Sequence, residues 1–339
     1  MINILNDFHE EMELLKLYID FQDKSYRNQY RKEKKDPNSD LSSLNISKIK
    51  QFDFNSHIIS IYGAYERFTE RLLVKYLSDL CSITNNYEFL PKEIQDNNLK
   101  KTFGIMKYLG SRKTREISAE KLIETLHKNI NENCSQINIE AFKNHTSNFR
   151  ISVIDIYFSE IGIKNISSLI RQYEPLKGYL SNDISDFAIQ KNSVIFQILE
   201  HLCDLRNDIA HGVDNVQLIH KTILFDYIDF MKIFTESLYE LINDNYLSKI
   251  YSQNEHEIEA IDIFNNSILC FDTKGSLITK NSKILVNSKN SYPNFFTASI
   301  SNIRYNEVDI EKTELNNAIK IGVLVDRKIK NSMKFKLII

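Results

Sequence analysis

Eight glycines and four prolines in 339 residues leave this chain few places to interrupt a helix. Those two residue types are the strongest local breakers of regular structure. Over the first three quarters of the chain, apolar side chains recur at helical spacing. From about Asn3 to Phe21 the repeat is carried by Ile4, Leu5, Phe8, Met12, Leu15 and Ile19. A second helix is expected from roughly Ser56 to Leu80, with Ile58, Ile61, Tyr65, Phe68 and Leu72 facing a core. The stripe beside it holds Ile59, Tyr62, Glu66, Leu73 and Leu77, which sets the Glu66 carboxylate in apolar company. A third helix runs from about Asn192 to His211 and ends on Gly212, a residue suited to the left-handed turn after a helix. A long amphipathic helix follows from about Gln217 to Lys249.

Between these, residues 82–190 read as an insertion of short helices joined by Asn-rich and Ser-rich connections. The helical stretches fall around Leu99–Leu109, Ala119–Lys128, Ile151–Ile161 and Asn165–Tyr173. The run Arg31–Ser47 is charged, then polar with a proline, and reads as a loop; its lysines suit a solvated surface or contact with RNA. Near Glu255 the pattern changes to β-rich segments: ILCFDTKG, KILVNS, FFTASISNI, IKIGVLV and MKFKLII. The expected fold class is therefore α+β, with a helical domain over 1–255, its insertion at about 82–190, and a small β-rich domain over 256–339.

Scarce glycine also removes whole classes of chemistry. No GxxxxGK[ST] phosphate loop, GxGxxG dinucleotide turn or GxSxG nucleophile elbow is present. Cys81, Cys134, Cys203 and Cys270 stand too far apart for a structural zinc site, and HEEME at His9 lacks a second histidine. No metal and no cofactor is expected. A net charge of −2 argues against indiscriminate binding of polyanions, yet leaves room for a local basic groove. The acidic, amphipathic start differs from a signal peptide, and no apolar run is long enough to span a membrane; a cytoplasmic location is expected.

One short run carries chemistry: Arg206-Asn207-Asp208-Ile209-Ala210-His211. At about 100° per residue, Ile195, Ile198, Leu202, Leu205 and Ile209 share a face that buries this helix. Measured from Arg206 at the edge of that face, Ala210 lies about 40° round, Cys203 about 60°, Asn207 about 100° and His211 about 140°. Arg206, Asn207 and His211 thus span one arc floored by two small side chains. A phosphate held there meets the guanidinium on one side and the imidazole on the other. Asp208 and Asp204 lie on the stripe of His211, where a carboxylate favours the imidazolium, as does a helix C-terminus. A histidine poised near neutral pH suits general acid–base work. An Arg–His pair with aspartates at a helix end is also what a solvated, salt-bridged face looks like.

RNDIAHG, late in an amphipathic helix, resembles the signature of the HEPN superfamily: Arg, a polar residue, three more, then His. SIYGAYERFTERLL resembles the first helix of the RiboL-PSP-HEPN branch, in which an aromatic–Glu pair recurs, here Tyr65-Glu66. The resemblance implies a helical bundle that dimerises and brings two motifs to one cleft. It implies a metal-independent ribonuclease, of the kind that serves as a toxin or antiphage-defence effector, in a homodimer with RNA as substrate and an antitoxin or defence protein as partner. Carried over, His211 is general base or acid for attack by the ribose 2′-hydroxyl, leaving 2′,3′-cyclic phosphate and 5′-hydroxyl ends. Arg206 stabilises the phosphorane and Asn207 orients the phosphate. Glu66 either pairs with Arg206 or holds a structural boundary, and Asp208 supports the histidine. Position 213 is Val213, so the tyrosine that some HEPN toxins carry there as a modification target is missing.

From His256 onward there are twelve Lys or Arg against nine Asp or Glu. Arg327, Lys328, Lys330, Lys334 and Lys336 concentrate the excess, which fits RNA contact or lysines that protect a strand edge. The alternative function is a non-catalytic HEPN dimer that binds RNA or a partner protein through the same cleft.

Overall fold

A computed structural model describes residues 1–35, 46–111, 114, 117–145, 147–180, 187, 189–213, 216–289 and 292–338. The chain forms two compact units, Met1–Tyr239 and Glu240–Ile339. The first is helical and the second is built around an antiparallel sheet, an α+β organisation. Among the described residues no helix is long and apolar enough to cross a membrane.

In the first unit, α1 (Ile2–Lys35) and α2 (Ile46–Ile83) run antiparallel. Phe8 packs on Phe68, and Arg67 and Arg71 reach back to Glu11 and Asp7. The expected core stripe of α2 is fully buried at Ile58, Ile61, Tyr65, Phe68 and Leu72. Each such side chain contributes roughly 1.5–3 kcal/mol of burial. Helical structure continues to Lys35 and resumes at Ile46, so both ends of the expected 31–47 loop are helix; residues 36–45 lie outside the described residues.

A short 3-10 turn at Tyr87–Phe89 leads to α3 (Lys92–Met106), α4 (Ala119–Asn131), α5 (Ile139–Lys143), α6 (Ile151–Ser159), α7 (Ile166–Ile170) and α8 (Glu174–Leu180). The single helix expected over 165–173 is thus α7 alone, with α8 beginning after it. Ser118 caps α4 by accepting the Lys121 N–H at 3.1 Å.

The helix expected over 192–211 is broken. Asn192–Ile195 forms α9 and Gln197–Ala210 forms α10, with Phe196 between them at φ −103° and ψ 22°. Neither Gly nor Pro causes the break. Phe196 is fully buried with its ring edge-on to Phe234, which lies on α11 (Lys221–Gln253). The Phe196 N–H still reaches Asn192 O at 2.9 Å and its carbonyl still accepts the Glu200 N–H at 3.0 Å, so the irregularity is confined to the dihedrals of the residue whose ring is buried.

The second unit carries β1 (Glu257–Ile258), β2 (Ala260–Phe264), β3 (Ile268–Asp272), β4 (Lys283–Asn287), β5 (Phe295–Tyr305), β6 (Val308–Ile310), β7 (Lys320–Val325) and β8 (Lys334–Ile338). The order is β1-β8-β4-β5-β7-β3-β2, all antiparallel, with β6 on β5. Since β1 and β2 adjoin in sequence, the two ends of that order nearly meet. Alternate residues such as Leu269, Phe271, Ile284, Val286, Val323 and Phe335 fill the interior.

Candidate active site around Arg206

The helix that carries the motif is positioned by Leu199, Leu202, Cys203 and Leu205, all buried. Its end is fixed by backbone geometry. His211 is the last residue before Gly212, whose φ is +68°. The Gly212 N–H bonds to Ile209 O at 3.1 Å and the Val213 N–H to Asp208 O at 2.9 Å. This pair of bonds is the Schellman motif, and it sets where the His211 side chain leaves the helix. His211 is exposed, and among the described residues its ring makes no hydrogen bond.

Arg206 is half-buried, with its guanidinium over the Tyr62 ring, 5.3 Å from the centroid. Tyr62 is a platform fixed at both ends. Its ring is buried, and its hydroxyl accepts the Phe149 N–H at 3.0 Å and faces Glu66 Oε1 at 3.4 Å. Burial pushes the phenol well above its ordinary pKa, so it stays protonated. Among the described residues Arg206 forms no ion pair, which leaves the cation without a carboxylate partner.

Asn207 is anchored. Its Oδ1 accepts from Asn148 Nδ2 at 2.6 Å, leaving its own amide NH2 as a donor. The segment that supplies Asn148 also supplies His145, Phe149 and Arg150. Cys203 lies under the motif as expected, and burial pushes its thiol up to about 12. Ala210, the other residue expected on the floor, is exposed.

Two expectations are corrected, those for Asp204 and Glu66. Asp204 does not serve His211; it is bonded to Arg150, which also holds Glu200 at 2.8 Å. Those two carboxylates, Asp204 foremost, hold the Arg150 guanidinium above its ordinary pKa. Asp208 is exposed and, among the described residues, forms no ion pair with His211 despite the i,i+3 spacing. Glu66 is not in apolar company. Its side chain is 32% exposed and faces the Tyr62 hydroxyl and His145 Nε2, the latter at 3.7 Å, rather than Arg206.

His145 is the residue that the sequence did not disclose. Its side chain is 13% exposed and its ring packs at a tilt of 34° against Phe149, with centroids 4.1 Å apart. Nε2 meets Glu70 Oε1 at 3.0 Å and Nδ1 meets Ser147 O at 2.9 Å. Burial pushes the Glu70 carboxyl up, but the bonds from His145 and Lys143 outweigh it and hold the group below its usual pKa. No periodicity marks residues 145–150, and no signal in the sequence ties them to a motif more than fifty positions away.

Arg327, Lys328 and Lys330 lie in the second unit, exposed on the β7–β8 connection; Arg327 sits over the Phe296 ring at 5.8 Å. Lys336, counted with them from sequence, has a structural place. Its Nζ donates to Tyr251 O at 2.9 Å and Asn254 O at 2.6 Å. Among the described residues no group of three His, Cys, Asp or Glu is arranged to hold a metal ion.

Among known proteins, no curated protein and no solved structure matches the chain. The model of one family does: RiboL-PSP-HEPN, over residues 22–244. That span exceeds half the chain and includes α2, the His145–Arg150 segment and the Arg206–His211 motif. A nuclease or RNA-related function goes with the match, and the chain belongs to the RiboL-PSP-HEPN family.

Proposed function

We propose that this protein is a metal-independent endoribonuclease acting in the cytoplasm as a homodimer. In this reading 1–255 is the nuclease body with 82–190 inserted, and 256–339 is an accessory domain. The observation that carries it is an arginine on an aromatic platform with no carboxylate partner among the described residues, next to an anchored Asn207 and an exposed His211. Such a cation is free to take a phosphate.

The ribose provides its own nucleophile. The 2′-hydroxyl gives its proton to one imidazole as the 2′-oxygen bonds to phosphorus. The bond from phosphorus to the 5′-oxygen breaks, and that oxygen takes a proton from a second group. Two His211 side chains in one cleft supply the base and the acid. Arg206 neutralises the charge on the phosphorane, and the Asn207 NH2 orients a phosphate oxygen. Glu66, held by Tyr62 and His145, positions the platform, and Asp208 tunes the field at His211. The exposed Arg327, Lys328 and Lys330 extend RNA contact. Family resemblance supports a role as a toxin or antiphage-defence effector, with an antitoxin or defence protein as partner.

A second reading is a dimer that binds RNA or a partner protein without cleaving. The His211 ring, with no hydrogen bond to orient it among the described residues, favours that reading. RNA cleavage in EDTA, comparing wild type with His211→Ala, separates the two. Cleavage to 2′,3′-cyclic phosphate ends by the wild type alone, with DNA uncut, is expected. Cleavage that needs magnesium, or that survives in the variant, sinks the mechanism.

A further inference from the structure

Just upstream of Asn207 the motif helix borders a cavity of about 540 Å³, within the size range of small-ligand sites. Its lining comes from α10 and from the starts of α6 and α9, and none of Arg206, Asn207 and His211 belongs to it. A continuous seam leads there from the motif. Asn148 donates to Asn207 at 2.6 Å, and two residues on, Arg150 bonds Asp204, one helical turn before Asn207. Along the axis Asp204 is about 4.5 Å from Asn207, and Gln197 about 15 Å. A strand whose phosphate rests at Arg206 and Asn207 therefore has this cavity beside it.

Two flat groups in the lining are held by their edges. The Arg150 guanidinium donates through Nη1 to Glu200 Oε2 at 2.8 Å and through Nη2 to Asp204 Oδ1. Glu200 Oε1 also accepts the Ile151 N–H at 3.2 Å, which fixes the fork in its plane. The exposed His201 ring is bonded through Nδ1 to the hydroxyl of buried Tyr227. Such bonds occupy an edge and not a face, and single-stranded bases stack on the faces of guanidinium and imidazole groups.

Around the two flat groups stand polar groups with bonding capacity to spare. Asp204 is 58% exposed, and among the described residues its Oδ2 has no hydrogen-bond partner. The side chains of Gln197, Ser152 and Ser193 are exposed and, among the described residues, unbonded. The charges also select. Glu200 and Asp204 against Arg150 leave the lining net negative, so a phosphate stays outside at Arg206 while a neutral base can enter. A carboxylate only accepts, and an exocyclic amino group offers it a donor, whereas uracil presents carbonyls on either side of one N–H.

We propose that this cavity is the subsite for a nucleobase next to the scissile phosphate, and that Asp204 selects adenine, cytosine or guanine over uracil there. The base lies against Arg150 and His201, its amino group donates to Asp204 Oδ2, and Gln197 meets the rest of its edge. Arg150 acts as a positioning residue that holds the Asp204 carboxylate in place. The position next to a scissile bond rests on the nuclease reading above; recognition of the base does not.

The test uses the full chain and short 2′-fluoro oligouridines, which lack the attacking hydroxyl, with A, C or G placed at each position in turn. Fluorescence anisotropy is expected to find a position at which an amino-bearing base binds about tenfold more tightly than uracil. Asp204→Asn reduces that ratio to about twofold or less, because its NH2 also serves a uracil carbonyl. Gln197→Trp, which fills the cavity from an exposed helix position, weakens the preferred oligonucleotide by about tenfold. Circular dichroism melts on both variants check that the helical unit is intact, and Gln197→Trp, remote from the Arg150 bonds, carries the test if Asp204→Asn loosens them. Wild type that binds none of the oligonucleotides, or binds all of them alike, overturns the proposal, as does a preference that both variants keep. Preference in binding without cleavage of the unmodified RNA leaves the subsite standing and removes the nuclease reading. Cleavage with no base preference does the reverse.

Discussion

The Arg206 guanidinium lies over the ring of Tyr62, 5.3 Å from its centre, while the hydroxyl of the same ring accepts the Phe149 N–H at 3.0 Å. One side chain thus joins the motif helix to a backbone amide in the distant 145–150 segment. The ring limits where the cation can go, and the hydroxyl limits where the ring can go. A cation over an aromatic face gains about 0.5–2 kcal/mol, enough to bias a long side chain toward one rotamer.

Removing the two halves of that link separately should have different effects. Tyr62→Phe keeps the platform and orphans the buried Phe149 N–H, at a cost of about 1–3 kcal/mol in stability. RNA cleavage should change little. Tyr62→Leu removes the platform, and cleavage should fall together with stability. Thermal melts and single-turnover cleavage on the same preparations check this; equal rates for Phe and Leu variants would show that the ring does not matter.

The motif's end predicts a backbone effect free of steric complication. A Cβ at Gly212 would meet nothing within 4 Å, yet φ there is +68°. Gly212→Ala should therefore cost about 1–2 kcal/mol from the left-handed conformation alone. Gly212→Asn should cost less, since Asn tolerates that region. Urea unfolding measures both, and an Ala variant as stable as wild type would contradict the Schellman geometry.

Much of this was legible in sequence because it is periodic. The stripe Ile58–Leu72 and the β-rich segments from Ile268 onward repeat at 3.6 and 2 residues, and Gly212 announced the helix end. Phe196 shows the limit: a helix broken by burial of one ring against Phe234 carries no local breaker. β2 escaped notice because it lies largely exposed and lacks a strong apolar alternation. At the site, Arg206 and Asn207 stand out by spacing, whereas His145, Asn148 and Arg150 arrive through tertiary folding. That arrival also reassigns Asp204, which spacing gave to His211 and Arg150 takes. Local geometry lists possible partners, and a longer-range cation decides among them.

Acid stability follows from a clamp on α1, in which Lys221 of α11 reaches Asp20 at 2.9 Å and Asp23 at 2.8 Å. Asp20 is held at a pKa of about 2, below its ordinary value of 3.8, by bonds from Lys24 and Lys221. A carboxylate depressed on folding stabilises fully above its unfolded pKa and loses that contribution as pH falls through the folded value. Helical circular dichroism stability should therefore drop between about pH 4 and pH 2. Lys221→Met should flatten that part of the profile by releasing both Asp20 and Asp23. A profile with the same slope in the variant would show that the clamp does not contribute.

The two histidines near the motif make opposite predictions, because their surroundings differ. His145 is packed against Phe149, bonded to Glu70 and Ser147 O, and close to Glu66. Its removal strands a half-buried carboxylate that it shares with Lys143, and a group so stranded costs about 1–3 kcal/mol. Its route to the chemistry runs through Glu66 and the Tyr62 hydroxyl, so it acts as a positioning residue. His145→Asn should lower the melting temperature and slow cleavage modestly, while the pH profile keeps its shape. His211 has no such bonds among the described residues and is exposed. His211→Asn should leave the melting temperature within error, as exposed substitutions commonly do. Cleavage should fall by about two to four orders of magnitude, with loss of the limb that the imidazole contributes to the pH profile. Arg206→Lys should share that loss, since a point charge does not reproduce a planar fork on an aromatic ring. Should His145→Asn abolish cleavage at unchanged stability while His211→Asn cleaves normally, the acid–base group would be His145, and the motif histidine would be part of a binding surface.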